Sequence, residues 1–268
     1  MALPLFLLPK LPPSTLPPIQ KKMTFYIVFH RDVLPENTQE YTSEEIRERF
    51  LWVAVNDSIP KIIPRDLPFI EERSFRRYTP ELQQKKYYQN SVFFHLYWNA
   101  YSLTSEYMGF GQYDMEIQKE GFEKTLELLD KPNVVVSFLP HPFIGCPHVY
   151  SPELWYQMFL RPYNAFRNKR HTFSDLAKYP LCLWHTFIIP RWLFVEMMEF
   201  VDWNMRNLQM RTNDTINRHL AGTLERVFAF YISCVMHEGR VEFHKGEGMI
   251  HHDEQRIADP FRSMSGRP

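Results

Sequence analysis

Short apolar runs alternate with longer amphipathic segments along most of the chain, and this alternation constrains the fold more than any other feature. The apolar runs are rich in β-branched and aromatic residues, as buried strands are, and occupy positions 23–30, 51–57, 107–113, 133–140 and 181–190. Helical periodicity occupies positions 42–50, 81–103, 121–130, 151–166, 191–203 and 214–237. Because the strands are continuously apolar, the pattern predicts an α/β fold with helices on both faces of a mostly parallel sheet.

Proline content marks the start of the predicted domain. Prolines at positions 4, 9, 12, 13, 17 and 18 interrupt residues 1–22, which we interpret as an extended tail outside the fold. Residues 23–268 then form one predicted domain, a length that a single domain can fill. Its part from about Gly239 is polar and rich in histidine, and we expect it to form a tail.

Charge, cysteine content and the absence of common motifs exclude several classes of function for this chain. Lys+Arg and Asp+Glu are balanced at 31 each, so net charge gives no sign of a nucleic-acid partner. The three cysteines are widely spaced and fit a reducing, cytoplasmic location. No apolar run has the roughly 18 residues of a membrane-spanning helix. The sequence also lacks the glycine motifs of P-loop, dinucleotide-binding and serine-hydrolase proteins.

Two carboxylates, Asp114 and Glu116, follow the third apolar run. In an extended segment, residues two apart point to the same side, so both groups would converge on one point. A divalent cation such as Mg²⁺ or Mn²⁺ relieves their repulsion and typically adds the oxygens of a diphosphate as ligands. The alternative is that the strand simply ends here and both carboxylates are solvated.

Polar residues also end the first two strands: His30 and Arg31 follow the first, and Asn56 follows the second. In open parallel sheets, ligands bind beyond the carboxyl ends of the strands. These side chains suit contacts with a ribose, a base edge or a phosphate. The alternative is that each is an ordinary loop residue with no role in binding. The C-terminal segment adds His252 within a cluster of histidines and carboxylates that suits a metal, with a solvated tail as the alternative.

Two helical carboxylates, Asp202 and Glu225, are candidates for a general base if they face the crevice. Glu225 precedes Arg226, a pairing that is also common on helix surfaces. His185 lies within an apolar run, where a histidine is more often a satisfied core group than a catalyst.

Three blocks of sequence resemble the capsular and exopolysaccharide glycosyltransferases, a family with similar proteins in bacteria and in large DNA viruses of algae. The first block is FFHLYWNAYSLTSEYMGFGQYDMEI (93–117), in which Leu-Tyr-Trp and Tyr-Met-Gly-Phe match the family's helix-then-strand core. The second is WHTFIIPRWLFVEMMEFVDW (184–203), and the third is LAGTLERVFAFYI (220–232). The resemblance spans about residues 23–231.

The resemblance implies a GT-A fold, a single nucleotide-sugar-binding α/β domain. In that fold an Asp-x-Asp at the end of a central strand holds a metal and the donor diphosphate. Asp114-Met115-Glu116 takes that place here, with glutamate in the second acidic position. The expected cofactor is therefore manganese or magnesium, with Asp114, Glu116 and His252 as ligands. The expected donor contacts are His30, Arg31, Asn56, Ser91, Asp114 and His185.

The implied reaction moves a sugar from a nucleotide-sugar donor to a hydroxyl of a glycan or glycoprotein acceptor. A UDP-linked donor is expected, with UDP-xylose as a candidate drawn from the viral resemblance. If the reaction inverts the anomeric centre, Glu225 is the expected base and Asp202 the next choice. Two other functions stay open: a metal-dependent hydrolase or phosphotransferase, and a non-catalytic sugar-binding module of the same fold.

Overall fold

The computed structural model describes residues 16–30, 40–55, 67–83, 87–143, 152–211 and 220–251. Within these ranges the strands are β1 (Lys21–Phe29), β2 (Phe50–Ala54), β3 (Phe69–Glu71), β4 (Ser105–Gln112), β5 (Met115–Ile117), β6 (Val134–Ser137), β7 (Pro140–Pro142), β8 (Pro180–Cys182), β9 (Phe187–Pro190), β10 (Glu242–Lys245) and β11 (Met249–His251).

The helices in the same ranges are α1 (Ser43–Arg49), α2 (Asn90–Trp98), α3 (Lys119–Glu127), α4 (Pro152–Trp155), α5 (Arg161–Arg167), α6 (Phe173–Leu176), α7 (Arg191–Arg211) and α8 (Leu220–His237). A π-helical turn, Tyr156–Leu160, joins α4 to α5. Short 3₁₀ turns lie at Glu72–Ser74, Pro80–Gln83, Ala100–Ser102 and Leu128–Asp130. None of the described helices is both long enough and apolar enough to span a bilayer.

Seven strands form the central sheet in the order β10-β6-β9-β4-β1-β2-β3. β1 runs parallel to β2 and β4, β2 to β3, and β10 to β6, whereas β9 is antiparallel to both β4 and β6. Six strands therefore run in one direction and β9 runs in the other. The predicted α/β class, with a mostly parallel sheet between helices, is confirmed.

Alternation along the strands divides the core into two layers. In β1, Tyr26 and Val28 face the layer that contains the buried faces of α2, α7 and α8. Phe25, Ile27 and Phe29 face the other layer, where α3 packs. Successive strand residues point to opposite faces, so a strand buried on both faces must be apolar at every position. This explains the continuous apolar runs of the sequence.

The two glycines of β4 make room for one aromatic ring. Gly109 lies opposite Phe25 in the β1–β4 pairing. A Cβ on Gly109 or Gly111 would overlap the Phe25 ring, which packs edge-on against Phe122 of α3 at 5.2 Å between ring centroids. The role of these glycines is therefore to let the Phe25 ring pack between β4 and α3 in the core.

Two predicted elements are broken in the structure. The segment predicted as one helix, 81–103, contains a 3₁₀ turn, α2 and a second 3₁₀ turn, and Tyr88 before α2 has φ +45°. The run predicted as one strand, 181–190, is divided into β8 and β9. Trp184 and His185 separate them with φ values of +63° and +50°. Left-handed φ values are uncommon for residues other than glycine, and no glycine marks this turn in the sequence.

Both chain ends contribute more to the fold than the sequence indicated. β1 begins at Lys21, and the guanidinium of Arg191 donates to the Pro17 carbonyl at 2.8 Å, so residues 17–22 lie against the domain. The tail interpretation of residues 1–15 falls outside the described residues. The segment expected to be a polar tail from Gly239 instead supplies β10, an edge strand of the central sheet, and β11, which pairs with β5.

Candidate active site

The carboxyl ends of the six parallel strands meet at one edge of the sheet, the edge where ligands bind in open α/β folds. The turn after β4, the loop of residues 183–186 before β9, and β11 beyond β10 all lie at this edge. These segments, with β7 and the first turns of α8, bring together a group of polar and aromatic side chains that we call the strand-edge site. Its described members are Gln112, Asp114, His141, Trp184, Glu225 and His251.

Asp114 lies in the turn directly after β4. The backbone N–H of Tyr113 donates to the Val28 carbonyl at 3.1 Å, which continues the β1–β4 pairing up to this turn. The Asp114 Oδ2 atom lies 3.2 Å from His251 Nε2, because antiparallel pairing of β5 and β11 sets His251 opposite Met115. The other oxygen, Oδ1, is buried and has no hydrogen-bond partner among the residues that the structure describes. A carboxylate oxygen in that position is a suitable ligand for a cation.

Glu116 is oriented differently from the expectation of two converging carboxylates. Tyr113 and Asp114 form a turn, and the chain becomes extended again only at Met115. Glu116 lies between the buried residues Met115 and Ile117, and its Oε1 atom lies 3.5 Å from Gln118 Nε2 at an exposed position. The premise of one extended segment is therefore wrong, and a metal contact by Glu116 stays a prediction.

Trp184 connects the members of the strand-edge site. Its backbone N–H donates to Glu225 Oε1 at 2.7 Å, and its carbonyl accepts from Gln112 Nε2 at 2.5 Å. Its indole N–H donates to His141 Nε2 at 2.8 Å, and its ring centroid lies 5.2 Å from that of His251. The backbone of this left-handed residue thus contacts β4 and α8, while its side chain contacts β7 and β11. Sequence reasoning missed Trp184, since neither its left-handed φ nor these long-range contacts leave a local signal.

Glu225 is a carboxyl group in a desolvated position on α8. Some of its side chain is accessible to solvent, yet the surrounding protein desolvates it enough to raise its pKa above the usual value. The Trp184 N–H, the Arg226 charge and His251 oppose this shift without cancelling it. A carboxyl with a raised pKa at a crevice is a candidate general base.

His185 follows Trp184 but lies among aromatic core residues. Its ring centroid is 4.9 Å from that of Phe93 and 5.7 Å from that of Phe228, and the residue is 2% exposed. Neither ring nitrogen is hydrogen-bonded to any residue that the structure describes. Burial lowers the pKa of His185 to about 3, so the ring is neutral at pH 7. The expected contact with the donor stays a prediction.

The remaining predicted site residues lie outside the group that forms the strand-edge site. His30 packs edge-on against Tyr113 at 4.8 Å, directly beside Asp114 in sequence. Ser91 is buried in the first turn of α2 and donates to the Tyr88 carbonyl at 3.0 Å. Asp202 lies on α7, and burial, followed by the charges of Glu199 and Asp202, raises the pKa of Tyr97, one helical turn beyond the Phe93 that contacts His185. Arg31, Asn56 and His252 fall outside the described residues.

A carboxylate and an imidazole are suitable ligands for a divalent metal. Asp114 and His251 meet this chemical requirement, and the buried Oδ1 atom of Asp114, which has no hydrogen-bond partner in the described part of the chain, fits a role as a cation ligand. Among the described residues, no group of three or more histidine, cysteine or acidic side chains is arranged to hold a metal ion. The pair would therefore need further ligands from the donor, from water or from the rest of the chain.

Comparison with known proteins defines the fold class. A solved structure described as the apo form of WbbM, a bifunctional glycosyltransferase, matches with a TM-score of 0.57 and 12% sequence identity. The match covers 84% of this chain and 45% of that chain, so this chain spans less than half of the protein that it matches. The similarity shows that the chain has a GT-A-like fold.

A second solved structure is 4-diphosphocytidyl-2C-methyl-D-erythritol synthase from Anaerococcus prevotii DSM 20548. It is 14% identical, and the match covers 90% of this chain and 96% of that one. Its TM-score of 0.33 is too low to support an argument. No model of a protein family matches the chain, and no curated protein matches it significantly in sequence.

Proposed function

We propose that the chain is a glycosyltransferase that binds a nucleotide sugar at the carboxyl edge of its sheet. One observation carries the proposal: in a GT-A-like fold, Asp114 follows a central strand, has His251 beside it, and has one buried carboxylate oxygen without a hydrogen-bond partner among the described residues. In an enzyme of this type, the largest catalytic requirement is stabilising the negative charge that develops on the leaving diphosphate. Asp114 is placed to recruit the cation for that task.

The proposed cofactor is Mn²⁺ or Mg²⁺, held by Asp114 and His251. When bound, such an ion neutralises charge on the leaving diphosphate. Glu116 and His252 are proposed as further ligands on the strength of the sequence alone. His30, packed on Tyr113 beside Asp114, is proposed to contact the donor, together with Arg31 and Asn56.

Glu225 is proposed to deprotonate the acceptor hydroxyl. The Trp184 N–H fixes one carboxylate oxygen, Oε1, and no described residue is hydrogen-bonded to Oε2. In an inverting reaction the acceptor oxygen bonds to the anomeric carbon as the bond from that carbon to the diphosphate breaks, and the acceptor proton passes to Oε2. The raised pKa makes the carboxylate a stronger base than an exposed glutamate. Asp202 remains the second choice for this role.

The donor and acceptor are proposed from the family resemblance. A UDP-linked sugar is the first candidate for the donor, UDP-xylose among them. A glycan or glycoprotein hydroxyl is the proposed acceptor. The partly exposed ring of Trp184, which packs against the buried His251, is proposed as a surface for the C–H face of a sugar ring, since aromatic side chains combine apolar area with a fixed geometry.

The test is hydrolysis of a panel of nucleotide sugars with Mn²⁺, a slow side reaction expected of such transferases. We expect one donor to be turned over, and Asp114→Asn to reduce turnover about hundredfold or more. Asp130→Asn removes an exposed carboxylate on a 3₁₀ turn and should leave turnover unchanged. Turnover of phosphoesters that contain no sugar would favour a hydrolase or phosphotransferase instead. Equal turnover in wild type and Asp114→Asn contradicts the proposal.

A further inference from the structure

A groove on the helical layer forms a second candidate site. It has a volume of about 460 Å³ and lies between the π-helical turn with α5 on one side and the second half of α7 on the other. The described members of the strand-edge site come from β4, β7, β11, the loop before β9 and α8, and so from none of these elements. The groove therefore requires an explanation of its own.

Trp203 forms the apolar wall of this groove. The residue is 47% exposed, although its ring packs against Phe166 at 5.4 Å and Phe200 at 6.4 Å between centroids. These contacts support the indole from the protein side and leave nearly half of the residue accessible. A ligand that covers the exposed part of this ring would gain free energy by removing apolar surface from water.

Amide side chains fix the floor of the groove. Asn204 is buried, and its Nδ2 atom donates to the Met158 carbonyl of the π-helical turn at 2.9 Å. Asn207 Nδ2 donates to Asn204 Oδ1 at 3.0 Å and lies 3.2 Å from the Gln157 carbonyl. The asparagines thus satisfy carbonyls that the irregular helix presents to α7. π-helical turns occur frequently at functional sites.

Two arginines make the groove positively charged. Arg161 and Arg206 line it, and no aspartate or glutamate is among its lining residues. The Arg161 guanidinium donates to Gln157 Oε1 at 3.1 Å. Arg206 is exposed, and it makes no hydrogen bond or ion pair with the part of the chain that the structure describes, although Asp202 lies one helical turn before it. An exposed guanidinium that no described residue pairs with, beside an exposed indole, is suited to an anionic ligand.

We propose that this groove binds a saccharide that carries an anionic group. The flat indole of Trp203 matches the C–H face of a pyranose ring, and the guanidinium of Arg206 matches a carboxylate or sulfate through paired hydrogen bonds. The volume falls within the range of about 300–1,000 Å³ that small-molecule sites occupy. Binding here needs no donor, so the proposal stands or falls separately from the strand-edge chemistry.

The test is calorimetric titration of the full chain without any nucleotide sugar. The acidic probe is a hyaluronan tetrasaccharide, and the neutral control is chitotetraose. We expect the chain to prefer the acidic probe, and both Arg206→Gln and Trp203→Ala to weaken its binding about tenfold, the loss of one charge-assisted or stacking contact. Trp203→Phe should restore most of the affinity. Arg47→Gln, at an exposed arginine of α1, should change it less than about twofold.

Several results would overturn the proposal. Absence of binding to wild type contradicts it directly, as does equal affinity for the acidic and neutral tetrasaccharides. If inorganic phosphate displaces the acidic probe at equal concentration and Trp203→Ala leaves its affinity unchanged, the groove is a simple anion site. Circular dichroism of each variant checks that a loss of binding is not a loss of fold.

Discussion

Two buried histidines on the same face of the sheet differ in how their ring nitrogens are paired. His95 of α2 is fully buried; its Nδ1 atom lies 2.6 Å from Glu72 Oε1, and its Nε2 atom accepts the backbone N–H of Thr79 at 3.2 Å. His185 is almost as deeply buried, and within the described part of the chain neither of its ring nitrogens has a hydrogen-bond partner.

This difference in hydrogen bonding suggests that His95 has a structural role and that the region around His185 has a functional one. Buried polar groups are nearly always hydrogen-bonded, and exceptions require an explanation. The paired His95 anchors residues 72–79 to α2 and satisfies this rule. The unpaired His185 stands in a left-handed turn beside Trp184, the residue that connects the strand-edge site. Uncommon backbone conformations cluster at functional sites, so the unsatisfied region is the one that we associate with activity.

The largest effect is expected on activity, from a change to Glu225, which is hydrogen-bonded to Trp184 beside the unpaired His185. Glu225→Gln keeps an oxygen to accept the Trp184 N–H but removes the base, so turnover should fall about 10²- to 10⁴-fold with stability unchanged. The raised pKa of Glu225 means that wild-type turnover should rise with pH through a value above that of an exposed glutamate, and the variant should lose this rise. Steady-state rates over pH measure both. Glu127→Gln, an exposed carboxylate on α3, is the matched control.

The second largest effect is expected on stability, from a change to the buried pair of Glu72 and His95. Glu72→Ala leaves the fully buried His95 without its partner, which should cost about 3–5 kcal/mol in the free energy of unfolding. Urea denaturation measures the loss. Glu71→Ala removes a neighbouring carboxylate that pairs with Arg73 at the surface, and should cost less than about 1 kcal/mol. Similar losses for the two variants would show that the buried pair is not a structural anchor.

A smaller effect is expected from His185→Phe, and it depends on pH. The folded-state pKa of His185 is lowered to about 3 from 6.5, so the unfolded chain binds more protons between these values and stability falls as the pH falls below 6.5. This group alone should cost about 2 kcal/mol at pH 5 relative to neutral pH. The Phe variant should lose that dependence and fit the aromatic surroundings. Urea denaturation of both proteins at pH 7.5 and pH 5 measures the difference.

His95→Phe is the matched comparison, since it should destabilise the protein at both pH values. An unchanged pH dependence in His185→Phe would contradict the assignment of a neutral, unpaired ring. Donor affinity of the same variant tests the resemblance, which implies a contact between His185 and the donor.

Much of the fold was readable from the sequence because strands buried on both faces must be apolar throughout. β1, β2, β4 and β6 satisfy this requirement and were predicted near their observed bounds. β10 and β11 were not, since their polar sequences carry no strand signal and become extended only through pairing with β6 and β5. The turn at Trp184 was missed for a related reason: tertiary contacts hold a left-handed backbone in an apolar run that favours a strand.

The site was readable only in part. The position of Asp114 after a central strand is a local signal, and the histidines of the C-terminal segment, His252 among them, were expected as further ligands. The structure brings His251 there, 137 residues away, through the β5–β11 pairing. Such a contact depends on the whole fold, and so does the desolvation of Glu225. Neither quantity is encoded in the spacing of residues along the chain.

The central claim is that Asp114 and the strand-edge site bind a nucleotide sugar with a divalent metal. Thermal unfolding of wild type and Asp114→Asn with UDP-sugars, each with and without Mn²⁺, tests it most directly. A ligand present at 100 times its dissociation constant stabilises the folded state by about 2.7 kcal/mol, enough to raise the melting temperature by several degrees. We expect that rise in wild type only when sugar nucleotide and Mn²⁺ are both present, and its loss in Asp114→Asn. No rise in wild type, or an equal rise in the variant, contradicts the claim.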